Sequence, residues 1–146
     1  MFKRILVPVD GSKHSTHAVD VAIDLAKCHG SSVLLLHVIR DFALPKEIME
    51  MIKAGEVTES RREILENSAD IILGNAKERF DEAGLSDVTT EYITGEPAPN
   101  IADYAEKKDV DLIVIGHSGL STPGPLLGGV ARKLTNISRT SCLVVR

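Results

Sequence analysis

Short, almost continuous apolar runs alternate along the chain with longer segments in which apolar residues recur every three or four positions. The runs are rich in branched side chains, which is typical of strands buried on both faces of a parallel sheet. The run at 88–94 instead alternates and contains Thr and Tyr, so we expect a less buried edge strand there. The predicted strands are residues 4–9, 33–39, 88–94, 110–115 and 142–145.

Helical spacing fills most of the chain between these runs. The predicted helices span 18–26 before a stop at Gly30, 60–83, the residues after Pro97, and 130–137, with a shorter helix opening at Pro45. Interleaved strands and helices predict an α/β fold of one domain, residues 1–146, built on a doubly wound five-stranded parallel sheet. We expect the strand order 3-2-1-4-5, with helices on both faces.

Composition and charge narrow the functional class. The chain has 43% hydrophobic and 26% charged residues and a formal net charge of -4 without a basic run, so nucleic acid is not an expected partner. The N-terminal sequence MFKRILVPVD lacks a signal-peptide pattern, and no apolar stretch approaches 18 residues, so we expect neither export nor a membrane partner. Cys28 and Cys142 show no metal or disulfide spacing, which favours the reducing cytoplasm.

The strand order places a ligand crevice between the first and fourth strands. In open α/β sheets, ligands bind at the carboxyl ends of strands where successive strands change sides. Val9, Asp10 and Gly11 should line one wall of this crevice, and Ile115 and Gly116 the other. For Asp10, binding a nucleotide or divalent ion and capping the loop into the first helix remain equally supported.

Glycines bracket the loop after the fourth strand. The loop runs from Gly116-His117-Ser118-Gly119 to Gly128-Gly129-Val130 at the start of the last helix. Backbone N–H groups freed of side-chain hindrance, together with a helix N-terminus, predict a phosphate-binding loop; a simple turn before a helix is an equally supported interpretation. We interpret His117 as a bystander, because an ordinary imidazole is mostly neutral in the cytosol.

Motifs of several enzyme classes are absent from the chain. It has no G-x4-GK-[ST] loop, and no G-x-G-x-x-G follows the first strand. Ser12, Asp10 and His14 lack the G-x-S-x-G turn that would make a nucleophilic triad. His14 and His17 lack a third ligand placed by any motif, so we predict no metal site and interpret both as solvated.

Three segments together resemble the universal stress protein family: ILVPVDGS, GEPAPNIADYAEKKDVDLIVIGHSG, and LLGGV before LVVR. The resemblance covers nearly the whole chain and implies the adenine nucleotide alpha-hydrolase-like fold. In nucleotide-binding members, a loop G-x2-G-x9-G followed by Ser or Thr holds the ribose and phosphates of ATP. Counting nine residues from Gly119 reaches Gly129, followed by Val130. Aligning LLGGV with the usual LLGSV, which we prefer, places Gly128 at the glycine and Gly129 at the hydroxyl residue.

The resemblance also implies a set of binding residues. Pro8, Val9 and Asp10 would line the adenosine, and Val38 would offer backbone groups to adenine. Ile115 and Gly116 would flank the ribose. The phosphates would contact Gly119, Gly128, Gly129 and Val130.

The function implied is a cytoplasmic regulatory homodimer that binds ATP or AMP, with or without Mg²⁺, in a stress response. Two chains would pair through the C-terminal strand, residues 142–146. No catalytic residue is expected, although slow ATP hydrolysis stays open. Because the preferred alignment gives a loop one residue shorter, with no hydroxyl at Gly129, the alternative is a dimeric protein-interaction module that does not bind nucleotide.

Overall fold

The computed structural model describes residues 1–40, 50–51, 55, 58–120 and 125–146. Most of the helix predicted to open at Pro45 and the centre of the glycine-bracketed loop lie outside these residues. The strands are β1 (Arg4–Pro8), β2 (Ser32–Arg40), β3 (Val88–Gly95), β4 (Leu112–Gly116) and β5 (Ser141–Val145). The helices with described bounds are α1 (Lys13–His29), α2 (Thr58–Glu82), α3 (Pro97–Lys107) and α4 (Gly129–Ile137).

The five strands form one parallel sheet in the order β3-β2-β1-β4-β5. This confirms the predicted order and the parallel pairing. β3 and β5 are the two edges, and most residues of β3 are exposed or half-buried, as its alternating sequence predicts. Strands β2 and β3 thus lie on one side of β1, and strands β4 and β5 lie on the other. The crevice predicted at this switch point lies between β1 and β4.

Alternate residues of the central strand, β1, pack into two separate hydrophobic cores, one on each face of the sheet. Ile5 and Val7 pack in the core that contains Val19 of α1 and Phe80 of α2. Leu6 points to the other face, into a core built with α3 and α4 in which Leu36, Ile101, Ile113 and Leu134 are buried. Helices on both faces explain why β1 is apolar at nearly every position.

The ends of α1 follow local side-chain chemistry. Ser12 is the N-cap, and its Oγ accepts a hydrogen bond from the Ser15 N–H. Gly30 closes the helix at a φ of 64°, and its N–H donates to the Ala26 carbonyl. The predicted stop at Gly30 is confirmed, whereas the helix begins at Lys13, several residues before the first apolar position.

The fourth strand begins later than its apolar run predicts. Val110 lies in the turn after α3, where its N–H donates to the Ala105 carbonyl, and Asp109 has a φ of 53°. The ladder with β1 then starts at Leu112. Hydrogen bonds that terminate a helix thus take precedence over the strand propensity of a single valine.

In the portion of the chain whose structure is described, no helix is both long and apolar enough to cross a membrane.

Candidate functional site

A cavity of about 600 Å³ opens at the carboxyl ends of the central strands. This size is in the range of small-molecule sites. All ten residues predicted from the sequence line it: Pro8, Val9, Asp10, Val38, Ile115, Gly116, Gly119, Gly128, Gly129 and Val130. The structure therefore brings together residues from β1, β2, β4 and the start of α4.

Sequence reasoning missed part of the lining. Leu36, His37 and Arg40 come from β2, Leu65, Ser68 and Ile72 from α2, Glu96 and Pro97 from the turn into α3, and Lys133 from α4. The α2 residues carry no motif; their helical period predicts burial, not a site.

The loop after β1 is held by its own side chains. Asp10 Oδ1 accepts a hydrogen bond from the Ser12 N–H at 2.9 Å, and the Asp10 N–H donates to Ser15 Oγ at 3.2 Å. Ser12, not Asp10, is the N-cap of α1. Asp10 thus supports the cap through one carboxylate oxygen and leaves the second directed toward Gly119, so the two interpretations of Asp10 are compatible.

Two glycines of the cavity lining, Gly116 and Gly119, permit close approaches between neighbouring segments. A β-carbon at Gly119 would lie 2.6 Å from Asp10 Oδ2. A β-carbon at Gly116 would lie 2.7 Å from the carbonyl carbon of His14, in the backbone of α1. Only glycine fits at these positions without displacing a neighbour, which brings β4, the loop and α1 together at the cavity.

The returning end of the glycine loop is fixed by one backbone hydrogen bond. The Gly128 N–H donates to the His117 carbonyl at 2.8 Å, and the His117 N–H donates to the Val145 carbonyl at 2.6 Å. Gly128 therefore lines the cavity, but its N–H is already engaged. Its predicted phosphate contact must be made by another part of the residue.

The first turn of α4 offers the N–H groups that Gly128 does not. Gly128 is the N-cap and has no side chain to cap the helix, and the first intrahelical bond runs from the Arg132 N–H to the Gly128 carbonyl. The N–H groups of Gly129, Val130 and Ala131 thus have no intrahelical acceptor, and all three residues line the cavity. Together with the helix dipole, they form a site suited to an anion.

Gly129 is open where Gly116 and Gly119 are crowded. A β-carbon built on it meets nothing within 4 Å. A serine side chain at this position would fit and could turn toward the cavity. The absence of a hydroxyl is therefore a property of the sequence and is not imposed by packing.

The β1–β2 ladder ends beside the predicted adenine position. The Val9 N–H donates to the Leu36 carbonyl at 2.8 Å, but the Val9 carbonyl accepts a hydrogen bond from Nδ1 of the His37 imidazole at 2.7 Å. β2 runs on to Arg40 after β1 ends at Pro8. The segment of β2 around Val38 therefore projects past its neighbour and forms a wall of the cavity.

His117 lies away from the cavity. Its ring is buried and stands 5.9 Å from the His14 ring, centroid to centroid. Burial lowers the pKa of His117, and the nearby charges of Arg146 and His14 lower it further. Its imidazole is therefore neutral near pH 7. Both observations agree with the bystander interpretation.

His14 and His17 are half-buried, so both are less solvated than predicted. His14 Nδ1 is buried and has no hydrogen-bond partner in the part of the chain that the structure describes. His17 Nδ1 lies 3.0 Å from the Arg146 carbonyl oxygen. Across the described residues, no three His, Cys, Asp or Glu side chains are arranged to hold a metal ion.

An ion pair links two exposed residues of the cavity lining. Lys133 Nζ of α4 donates to Glu96 Oε1, at the N-cap position of α3. The Glu96 side chain makes no capping hydrogen bond to α3. Its carboxylate is thus used to pair Lys133, 37 residues away along the chain.

Comparison with known proteins identifies relatives over the full length. The family model described as "Universal stress protein family" matches residues 1–146. Universal stress protein YxiE of Bacillus subtilis is 36% identical over 150 residues, which covers all of both chains. Universal stress protein Rv1636 of Mycobacterium tuberculosis is 33% identical over 147 residues, with 99% of this chain and 96% of the relative covered.

A solved structure shares the fold. Universal stress protein UspA from Lactobacillus plantarum superposes with a TM-score of 0.82 at 25% identity, covering 99% of this chain and 98% of that one. With the sequence relatives and the five-stranded sheet in the order β3-β2-β1-β4-β5, this shows that the chain belongs to the universal stress protein family.

Proposed function

We propose that this universal stress protein is a regulatory homodimer that binds an adenine nucleotide, ATP or AMP, in the cavity between β1 and β4. The observation that carries the proposal is the convergence of all ten predicted binding residues on one cavity. These residues come from four separate stretches of sequence. Their convergence supports a single site of the predicted composition.

In the proposed complex, the adenosine lies against Pro8, Val9 and Asp10, with adenine beside the projecting segment of β2 at Val38. The ribose lies near Ile115 and Gly116. The Asp10 Oδ2 oxygen, which is directed toward Gly119, is available to accept a bond from a ribose hydroxyl or to contact an ion bound to the phosphates. Asp10 is thus the residue that we propose to contact Mg²⁺ when ATP is bound with it.

The phosphates would lie at the N-terminus of α4. Gly129 and Val130 offer N–H groups without intrahelical acceptors, and Gly119 allows the backbone to approach closely. Gly128 contributes its position as N-cap, because its N–H is bonded to His117. Backbone donors at a helix N-terminus suit phosphate binding, and we propose a regulatory role in which no residue is assigned to catalysis.

A relative supports the ligand class. A solved universal stress protein described as being in complex with cAMP is 27% identical to this chain, superposes with a TM-score of 0.68, and covers 99% of this chain. cAMP contains adenine, ribose and phosphate. The same three groups are the ones that the cavity of this chain is proposed to hold.

We propose that two copies pair through residues 142–146. β5 forms one edge of the sheet, and Leu143 on it is 38% exposed. An apolar strand at an edge can pair with its counterpart in a second chain, which removes the exposed hydrogen-bonding groups from water. The proposal includes a cytoplasmic setting, because two cysteines so far apart in sequence do not form a disulfide framework.

One observation favours the alternative, a protein-interaction module that does not bind nucleotide. Leu120 and Leu126, which lie within the glycine-bracketed loop, are 78% and 66% exposed. Exposed apolar side chains in a loop that lacks its hydroxyl residue suit contact with another protein. The two functions predict different results for nucleotide binding.

Isothermal titration calorimetry with ATP, AMP and cAMP, with and without Mg²⁺, separates them. We expect saturable binding of an adenine nucleotide at one site per chain. Gly119→Val should abolish it while circular dichroism shows a folded protein. Absent binding, or binding that needs millimolar nucleotide, would favour the interaction module. Unchanged affinity in a folded Gly119→Val protein would move the site elsewhere.

A further inference from the structure

The ion pair between Lys133 and Glu96 links two exposed residues of the cavity lining. Lys133 follows Gly129 by four residues on α4, so the two share a face of the helix. Side chains on a helix lean toward its N-terminus, which brings the ammonium group of Lys133 toward the free N–H groups of the first turn. A cation is thus held beside the proposed phosphate position.

The partner of this cation is replaceable. The Lys133 and Glu96 side chains are 49% and 64% exposed, and ion pairs so open to water contribute little to stability. Glu96 makes no capping hydrogen bond that depends on Lys133, and water can solvate its carboxylate once the pair opens. A phosphate, with more negative charge and several oxygens, is the stronger acceptor.

We propose that Lys133 is a specificity-determining residue that leaves Glu96 to bind the phosphates beyond the α-phosphate, and so makes the site prefer ATP to AMP. The inference rests on the proposed nucleotide site. The N–H groups of Gly129, Val130 and Ala131 serve the phosphate nearest the ribose, inside the cavity. Lys133 lines the cavity with its side chain 49% exposed, so it lies on the solvent side of the lining, where we expect a longer phosphate chain to leave the cavity. Glu96 acts as the competitor that keeps Lys133 in place when the site is empty.

The test compares affinities for ATP, ADP, AMP and adenosine by calorimetry. Lys133→Gln should weaken ATP binding about tenfold, the loss of one charge-assisted contact, and change AMP and adenosine affinity less than about twofold. Glu96→Gln removes the competitor and should strengthen ATP binding, by up to about fivefold. Arg132→Gln is the matched control, because it removes one positive charge from the same helix at an exposed position that does not line the cavity.

Each outcome is informative. An ATP to AMP affinity ratio that falls in Lys133→Gln and is unchanged in Arg132→Gln supports the assignment. A ratio equally reduced in both variants would show a diffuse charge effect and overturn it. An unchanged ratio in Lys133→Gln, with ATP still bound by the parent protein, overturns it and leaves the nucleotide site standing. Failure of the parent protein to bind ATP, AMP or adenosine overturns both proposals.

Discussion

The carboxylate of Asp10 stands against the bare α-carbon of Gly119, where a β-carbon would come within 2.6 Å of Oδ2. This contact joins the loop after β1 to the loop after β4 across the cavity. The atom displaced by a methyl group is the end of a flexible side chain, not backbone. A substitution here should therefore alter the site more than the fold.

Gly119→Ala should weaken nucleotide binding by at least about tenfold, because the displaced Asp10 carboxylate and the loop no longer fit the ligand. The free energy of unfolding should change by less than about 1 kcal/mol. Calorimetry and urea denaturation measure the two quantities. The double variant Asp10→Ala, Gly119→Ala should lose less binding free energy than the two single variants lose together. Fully additive losses would show that the contact between the two residues does not affect nucleotide binding.

Gly129→Ser should strengthen ATP binding by about tenfold, since a hydroxyl can donate to a charged phosphate oxygen. The open space at Gly129 means that the side chain fits without strain. Gly129→Ala is the control for backbone effects and should show no gain. Equal affinities in the serine and alanine variants would indicate that the phosphates lie elsewhere.

Gly116→Ala should destabilise the protein by about 1–3 kcal/mol in urea denaturation, because a β-carbon there meets the backbone of α1 and neither element can move freely. Gly74→Ala is the matched substitution inside α2, where a β-carbon meets nothing within 4 Å. It should stabilise the protein by about 0.5–1 kcal/mol. A tolerated alanine at position 116 would contradict the close packing of β4 on α1.

Leu143→Lys should shift the proposed dimer to monomer, as sedimentation equilibrium can measure, because it places a charge in the apolar edge strand. Ile71→Lys makes the same change at an exposed position on α2 and should leave the assembly unchanged. A parent protein that is monomeric at all concentrations, or a Leu143→Lys dimer of full affinity, would contradict pairing through β5.

The lowered pKa of His117 makes stability depend on pH. As pH falls below the ordinary imidazole pKa of about 6.5, the unfolded chain takes up a proton that the folded protein does not, so stability falls. The loss ends once the pH is below the lowered pKa of the folded state. His117→Gln should reduce the dependence of the free energy of unfolding on pH, measured by denaturation at a series of pH values from 8 to 5. His29→Gln, at an exposed position, is the control that tests whether replacing any histidine has this effect.

Local patterns sufficed to predict the sheet, and the strand order predicted which edge of the sheet carries the cavity. The apolar runs that form β1 and β2, and the glycine at position 30, act through neighbours in sequence. Topology predicted a position at the cavity for Val9, Asp10, Ile115 and Gly116, because parallel strands end at a common edge. The remaining residues of the set of ten were implied by the resemblance to the universal stress protein family. The 2.6 Å and 2.7 Å approaches at Gly119 and Gly116 depend instead on how distant segments pack, which no local pattern encodes.

Local sequence patterns also do not predict which charged and polar groups pair at the cavity. Lys133 and Glu96 are each ordinary surface residues in the sequence, and only the fold brings them together in the cavity lining. The α2 residues that line the cavity have the period of a core-facing helix. The hydrogen bond from the Gly128 N–H to the His117 carbonyl could not be predicted from the sequence either, because hydrogen bonds within a loop depend on its three-dimensional path.

The backbone of His117 contacts two segments at once: its carbonyl accepts a hydrogen bond from the Gly128 N–H at the start of α4, and its N–H donates to the Val145 carbonyl on the edge strand. A ligand that shifts Gly128 and a second chain that shifts Val145 would act on the same residue, through its two adjoining peptide groups. By thermodynamic reciprocity, nucleotide would then change the dimer's dissociation constant by the same factor by which dimerisation changes nucleotide affinity. That coupling would pass through the backbone of His117, whose side chain does not line the cavity.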